Sequence, residues 1–184
     1  MATSTETKPA IEALESFPTL QPAFVIRCGI AGQYPCGDIY TGSSLVGVPL
    51  SWGTLKSVPG FEPKLDLKLS HGHDWFRVDN DKTHARLSVS AIISDEENRS
   101  IRLTANGVSE LNGQIMALIT GSPDAKTPPF GFGVEQMTIE SGHDVYKPLE
   151  GMLFACSQRF ALGEGGEPLA EIRVSRIISG TGLE

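Results

Sequence analysis

Leu65–Ile93, LDLKLSHGHDWFRVDNDKTHARLSVSAII, is the stretch that decides the fold. Leu65, Leu67 and Leu69 alternate with Asp66, Lys68 and Ser70, and Leu87, Val89, Ala91 and Ile93 alternate with Arg86, Ser88 and Ser90. A period of two puts one kind of side chain on one face of an extended chain, so both runs read as half-buried strands. Between them lies a polar cluster, His71, His73, Asp74, Arg77, Asp79 and His84, with Trp75 and Phe76 inside it. If the chain has a chemical site, this hairpin is expected to contribute to it.

The alternation recurs on both sides. FVIRC after Ala23 reads as a first strand, Gly29 to Cys36 as a glycine-rich turn, and Asp38 to Thr41 as a second strand. Leu45 to Val58 carries Gly47 and Gly53, and glycines inside a strand pattern mark the bulges or bends that barrels use at their corners. Downstream, Ser100 to Val108 sets Ile101, Leu103 and Ala105 against Arg102, Thr104 and Asn106. Gln114 to Thr120 is expected to continue the meander, followed by a Pro123–Pro129 loop. Strands are then expected at Val134–Glu140, Met152–Cys156 and Ala170–Ile178, with a turn from Gly142 to Pro148. About ten short strands and no convincing internal helix give an all-β fold, a closed or nearly closed antiparallel β-barrel of calycin type that can hold one ligand. Residues 1–21 are expected to form a tail with a helical turn or two on Ile11, Leu14 and Phe17, and residues 22–184 a single barrel domain.

Composition narrows the partners. The 184-residue chain has a formal net charge of −7, which argues against nucleic acid or an anionic membrane surface and for a neutral small molecule. Cys28, Cys36 and Cys156 form no CxxC pair, so a reducing compartment is the simpler reading. The first twenty residues lack a basic and an apolar leader segment, which makes a cytoplasmic protein the expectation.

Several motifs point to chemistry only weakly. His71 and His73, two apart on a strand, share a face and could ligate a metal, but no carboxylate or third ligand follows at cupin spacing, so no metal is expected. Cys28 and Cys156 sit in apolar company, as small core residues do. Gly163-Glu164-Gly165-Gly166 lacks the strand and helix of a phosphate cradle, and no cofactor is implied. Asp74, at a strand position beside Trp75, is the carboxylate best placed to reach into a barrel; its alternative role is to cap a turn.

Gly47 and Gly53, the hairpin ending His73-Asp74-Trp75, the strand carrying Arg86, the run Asn106-Gly107-Val108, and TIESG followed by YKPLEGMLF together resemble the family known as domain of unknown function 3237. The resemblance spans Pro22 to Ile178 and implies a small barrel, commonly a homodimer. Where that family has Tyr-x-Trp-Leu-Asn, this chain has Tyr146-Lys147-Pro148-Leu149-Glu150, which introduces a carboxylate. The tail and the Thr127-Pro128-Pro129 loop resemble fungal members, one of which closes a cyclic ether in a phenalenone polyketide pathway by adding a hydroxyl across an alkene.

The implied activity is a cofactor-free cyclase or isomerase acting on a hydrophobic aromatic substrate. Such a reaction needs one group to take the hydroxyl proton and one to protonate carbon, in a dry cavity that fixes the reactive conformer. The candidate catalytic residues are Asp74 with Glu150 or Tyr146 as partner, and Arg86 as a charge that tunes Asp74. Trp52, Trp75 and Phe76 are candidates for the apolar wall, and His73 and Arg102 for polar contacts to the substrate. A lipocalin-like carrier without catalysis is the alternative, since it can dispense with a converging acid–base pair.

Overall fold

The computed structural model describes residues 16–181. Nine strands run β1 (Thr19–Ile30), β2 (Tyr34–Asp38), β3 (Ser44–Ser57), β4 (Asp66–Val78), β5 (His84–Ser94), β6 (Ser100–Glu110), β7 (Gly133–Glu140), β8 (Phe154–Leu162) and β9 (Pro168–Ile178). All neighbours pair antiparallel in the order β1-β9-β8-β7-β6-β5-β4-β3-β2. A further β1–β3 pairing, Phe24 opposite Ser57 through Ile30 opposite Leu50, closes eight of the strands into a barrel and leaves β2 outside, on the first residues of β3. The closed all-β barrel read from the alternation is the fold.

Alternation explains most of the wall. In β5, Ala85, Leu87, Ala91 and Ile93 turn inward; in β6, Ile101, Leu103 and Ala105 do so. Burying each such side chain contributes about 1.5–3 kcal/mol for the larger ones, which sets the register because a one-residue slip would expose the whole row. One end of the barrel is filled by Phe24, Phe61 and Phe154, whose rings meet at centroid distances of 5.2 to 6.4 Å, with Leu149 and Tyr146 packed against them. At the other end Phe76, Leu87 and Phe160 meet a short helix, α1 (Gly113–Ile119).

That helix replaces the strand expected at Gln114–Thr120. Ile115 and Leu118, three apart, both turn onto the barrel end, and the Asn112 side chain accepts from the N–H groups of Gln114 and Ile115. Other boundaries move as well. The second strand is Tyr34–Asp38 rather than Asp38–Thr41, because Ile39 N–H donates to Ser43 across a turn that holds Gly42 at φ +82°. β8 begins at Phe154 and runs on to Leu162, and a 3-10 turn, Lys147–Gly151, precedes it. β1 starts at Thr19, paired with Ile178, so the strand takes in residues 19–21 of the expected tail; Ile11 and Leu14 lie outside the described residues.

Candidate functional site

A β-bulge in β4 positions the site. Leu69 pairs with Ile93 but His71 pairs with Ile92, so one extra residue sits between them and the inward phase switches from odd to even positions. Leu67 and Leu69 face in before the bulge; Gly72, Asp74 and Phe76 face in after it. His71, His73 and Trp75 consequently line the outside, their rings 6.3 and 5.6 Å apart in succession.

Between the two plugged ends lies an internal cavity of about 80 Å³. Its wall is apolar except for a few groups, chiefly Asp74 from β4, Glu135 from β7 and Gln158 from β8. They are 9%, 9% and 3% exposed. Two glycines seat the latter pair. Gly107 lies opposite Glu135, and a Cβ there would meet Glu135 Cγ at 2.5 Å; a Cβ on Gly133, opposite Gln158, would collide with Gln158 Oε1. Without a Cβ at either place, two polar side chains lie across the inner wall.

Their electrostatics follow from burial. Asp74 is pushed up to about 6 because desolvation disfavours its charge, a hydrogen bond from Ser88 N–H to Oδ1 at 2.8 Å opposing part of the shift. Glu135 is pushed up to about 7, first by burial and then by the Asp74 charge, with no hydrogen bond offsetting either. Gln158 Oε1 is buried with no hydrogen-bond partner among the described residues. The Cys28 thiol, which also lines the cavity, is raised to about 12 by burial. A second crevice of about 40 Å³ shares Ile30, Val48, Asp74 and Phe160 with the first and opens beneath α1, where Gln33 Nε2 donates to Ile119 O at 2.8 Å. Asp74 thus stands at the junction of the two spaces.

Of the residues given catalytic or substrate-binding roles from sequence, Asp74 reaches the chamber and Phe76 the crevice beneath α1; the others are not brought to either. Trp52 lies on the outer face over Gly29, and Trp75 over Gly47. Arg86 is held outside by Asp79 at 2.7 Å and Arg102 by Glu140 at 2.7 Å. Glu150 is exposed on the 3-10 turn, where it accepts from Ser141 N–H at 3.1 Å. Tyr146 is buried at the aromatic end, its hydroxyl donating to Asp95 Oδ2 at 2.7 Å. Its place in the family-like motif therefore plugs the barrel. Glu135 and Gln158 were missed. The sequence signal for them was an acid and an amide in the phase of Met137 and Ile139, and of Phe154, Cys156 and Phe160, respectively.

The fold is a small antiparallel barrel enclosing an apolar, carboxyl-bearing chamber. The chain belongs to the family described as protein of unknown function (DUF3237), whose model matches residues 18–177. No curated protein matches it. A conserved protein of unknown function from Rhodopseudomonas palustris is 18% identical, with a TM-score of 0.67 over 88% of this chain and 99% of that one. A beta-barrel like protein from Acinetobacter baumannii is 16% identical, with a TM-score of 0.66 over 88% of this chain and 96% of its own. An enzyme from Penicillium herquei shares the fold at 10% identity and a TM-score of 0.52, over 91% of this chain and 98% of that chain.

Proposed function

We propose that this protein is a cofactor-free cyclase of fungal secondary metabolism that closes a cyclic ether by adding a hydroxyl to an alkene within one prenylated aromatic polyketide. The observation that carries the reading is the pair of buried carboxyls, Asp74 and Glu135, facing one apolar chamber. The Penicillium herquei relative adds that the shared fold occurs in an enzyme.

In this reading Asp74 is the base, because the Ser88 N–H favours its carboxylate, and Glu135 is the acid, because burial beside Asp74 keeps its proton on. Asp74 takes the hydroxyl proton as the oxygen bonds to one alkene carbon, and Glu135 delivers a proton to the other. One O–H bond of the substrate and the π bond of the alkene break, one C–O and one C–H bond form, and passage of the proton from Asp74 to Glu135 restores the enzyme. The reacting side chain occupies the chamber while the aromatic body lies along the crevice beneath α1, which must part from the rim to admit it. Low dielectric and exclusion of water strengthen both proton transfers. A homodimer and a cytoplasmic location belong to the same reading, and solution scattering that returned the 19.7 kDa monomer mass would remove the dimer.

The test is conversion of a hydroxyl- and alkene-bearing prenylated polyketide, followed by mass-resolved chromatography. Asp74→Asn and Glu135→Gln should each cut turnover by at least about a hundredfold. Glu150→Gln and Tyr146→Phe, outside the chamber, should retain it wherever the variant folds. Turnover should pass through a maximum between the two carboxyl values of about 6 and about 7, falling on both sides. Tight binding without product would favour a carrier, and full turnover by Asp74→Asn would place the chemistry elsewhere.

A further inference from the structure

The chamber gathers hydrogen-bond acceptors without any cation to match them. Asp74 Oδ1 receives a single N–H, from Ser88, and no hydrogen bond or ion pair to Glu135 exists among the described residues. Gln158, 3% exposed and lining the same space, presents a carbonyl oxygen with no partner. Among the described residues no Lys, Arg or His lines the chamber. The titratable groups that face it are Asp74 from β4, Glu135 from β7 and Cys28 from β1; Cys156 on β8 lies opposite Glu135. Burial raises both thiols, which stay neutral. β3, β5, β6 and β9 present no charged or titratable side chain to it.

We propose that the chamber binds a small primary alkylammonium ion, whose N–H bonds are shared among the carboxyls of Asp74 and Glu135 and the amide oxygen of Gln158. The chemistry of the wall selects this class over its isosteres. An ammonium carries three donors and no acceptor, the complement of three acceptor groups. It also supplies the charge that a buried carboxyl pair lacks, and charges out of water are tolerated when paired and hydrogen-bonded. An alcohol of the same shape brings one donor and no charge. A carboxylate would add a third acid to the pair. The alkyl part faces the apolar wall, and the Phe160 ring on that wall offers a face or edge within the same space. This inference does not rest on the cyclase reading, because binding is measured without turnover.

The experiment is calorimetric titration of the whole protein with isobutylamine, isobutanol and isobutyrate, small probes chosen because the cavity measures about 80 Å³. At about pH 8, where the pair is largely ionised and the amine protonated, isobutylammonium should bind at least about tenfold more tightly than isobutanol, and isobutyrate should not bind. At about pH 5 the pair is largely protonated and the preference should shrink to less than about threefold. Glu135→Gln should remove most of the preference at the higher pH, and Gln158→Leu should weaken the amine more than the alcohol. Equal affinity for amine and alcohol at the higher pH, a preference indifferent to pH, or no binding of the amine would each overturn the proposal. The wild-type pH comparison decides the matter if a variant fails to fold. Loss of cyclase activity with amine binding intact would sink only the catalytic reading.

Discussion

At the residue scale the chamber depends on what is left out as much as on what is present. Gly107 and Gly133 carry no Cβ, and in the space each leaves lies a polar side chain, Glu135 or Gln158. Neither glycine has a positive φ, so the need is for room and not for an unusual backbone. Gln158 Oε1, buried and unpartnered, costs about 1–3 kcal/mol. Gln158→Leu should therefore raise the unfolding free energy by about 1–2 kcal/mol in urea titrations, and Gly107→Ala should lower it by about 1–3 kcal/mol by forcing Glu135 aside. A stabilised Gln158→Leu with impaired binding would be the signature of a residue kept for function; an unchanged or lowered stability would mean that the amide is satisfied in solution.

At the scale of single elements, β4 does most to define the site. Its bulge lets Leu67 pack into the core and Leu69 line the chamber while, in the opposite phase, Asp74 faces the chamber and Phe76 the crevice beneath α1. Ser70 is the extra residue, and its hydroxyl shares a 2.8 Å hydrogen bond with Ser94 on the outer surface. Deleting Ser70 keeps each half of the strand in its own phase and moves the irregularity from the β5 side to the β3 side, where β3 and β4 otherwise pair in unbroken register from Thr54 opposite Lys68 to Pro49 opposite His73. The shortened protein should fold with Asp74 still inside, losing no more than about 1–2 kcal/mol, and its carboxyl titration by NMR should stay near the wild-type value. An Asp74 that titrates like an exposed carboxyl in this variant would mean that the bulge is required for strand curvature as well as phase. The helix α1 has only seven residues, too few for independent stability, so it holds its place through the Asn112 cap and the burial of Ile115 and Leu118.

Across the whole molecule, opposite pKa shifts divide the pH axis. Asp74 and Glu135 have folded values above their ordinary 3.8 and 4.5, so they bind protons more tightly when folded. Their contribution to stability is full below the ordinary values and is lost as pH rises through about 6 and 7. Asp95 behaves in the opposite sense. Burial alone would raise it, but hydrogen bonds from Tyr146 and Arg99 hold it well below the usual carboxylate range, and its contribution is lost as pH falls through the acid region. Stability should then be greatest near about pH 5, and Tm should fall between about pH 5 and pH 8. Glu135→Gln should recover much of that loss, about 5–10 °C at the higher pH with little change at the lower, in calorimetric scans. A wild-type Tm that is flat over this range would show that water reaches the pair.

The sequence by itself determined the class of fold and the strands whose two faces differ, because a period of two with leucine, isoleucine and valine on one side admits one burial pattern. It also determined that Asp74 and Phe76 belong to the central hairpin, in a polar cluster with His71, His73, Arg77, Asp79 and His84. The short helix was hidden because Ile115, Ala117 and Ile119 also satisfy a period of two over seven residues, and it is the barrel end that buries Ile115 and Leu118 together. The site was decided by tertiary structure for two reasons. One extra residue at the β4 bulge sends Asp74 inward and His71, His73 and Trp75 outward, against the phase that Leu65, Leu67 and Leu69 begin. Closure of the barrel then brings Glu135 and Gln158 from distant strands onto the same cavity as Asp74, a meeting created by strand order and register rather than by any spacing along the chain.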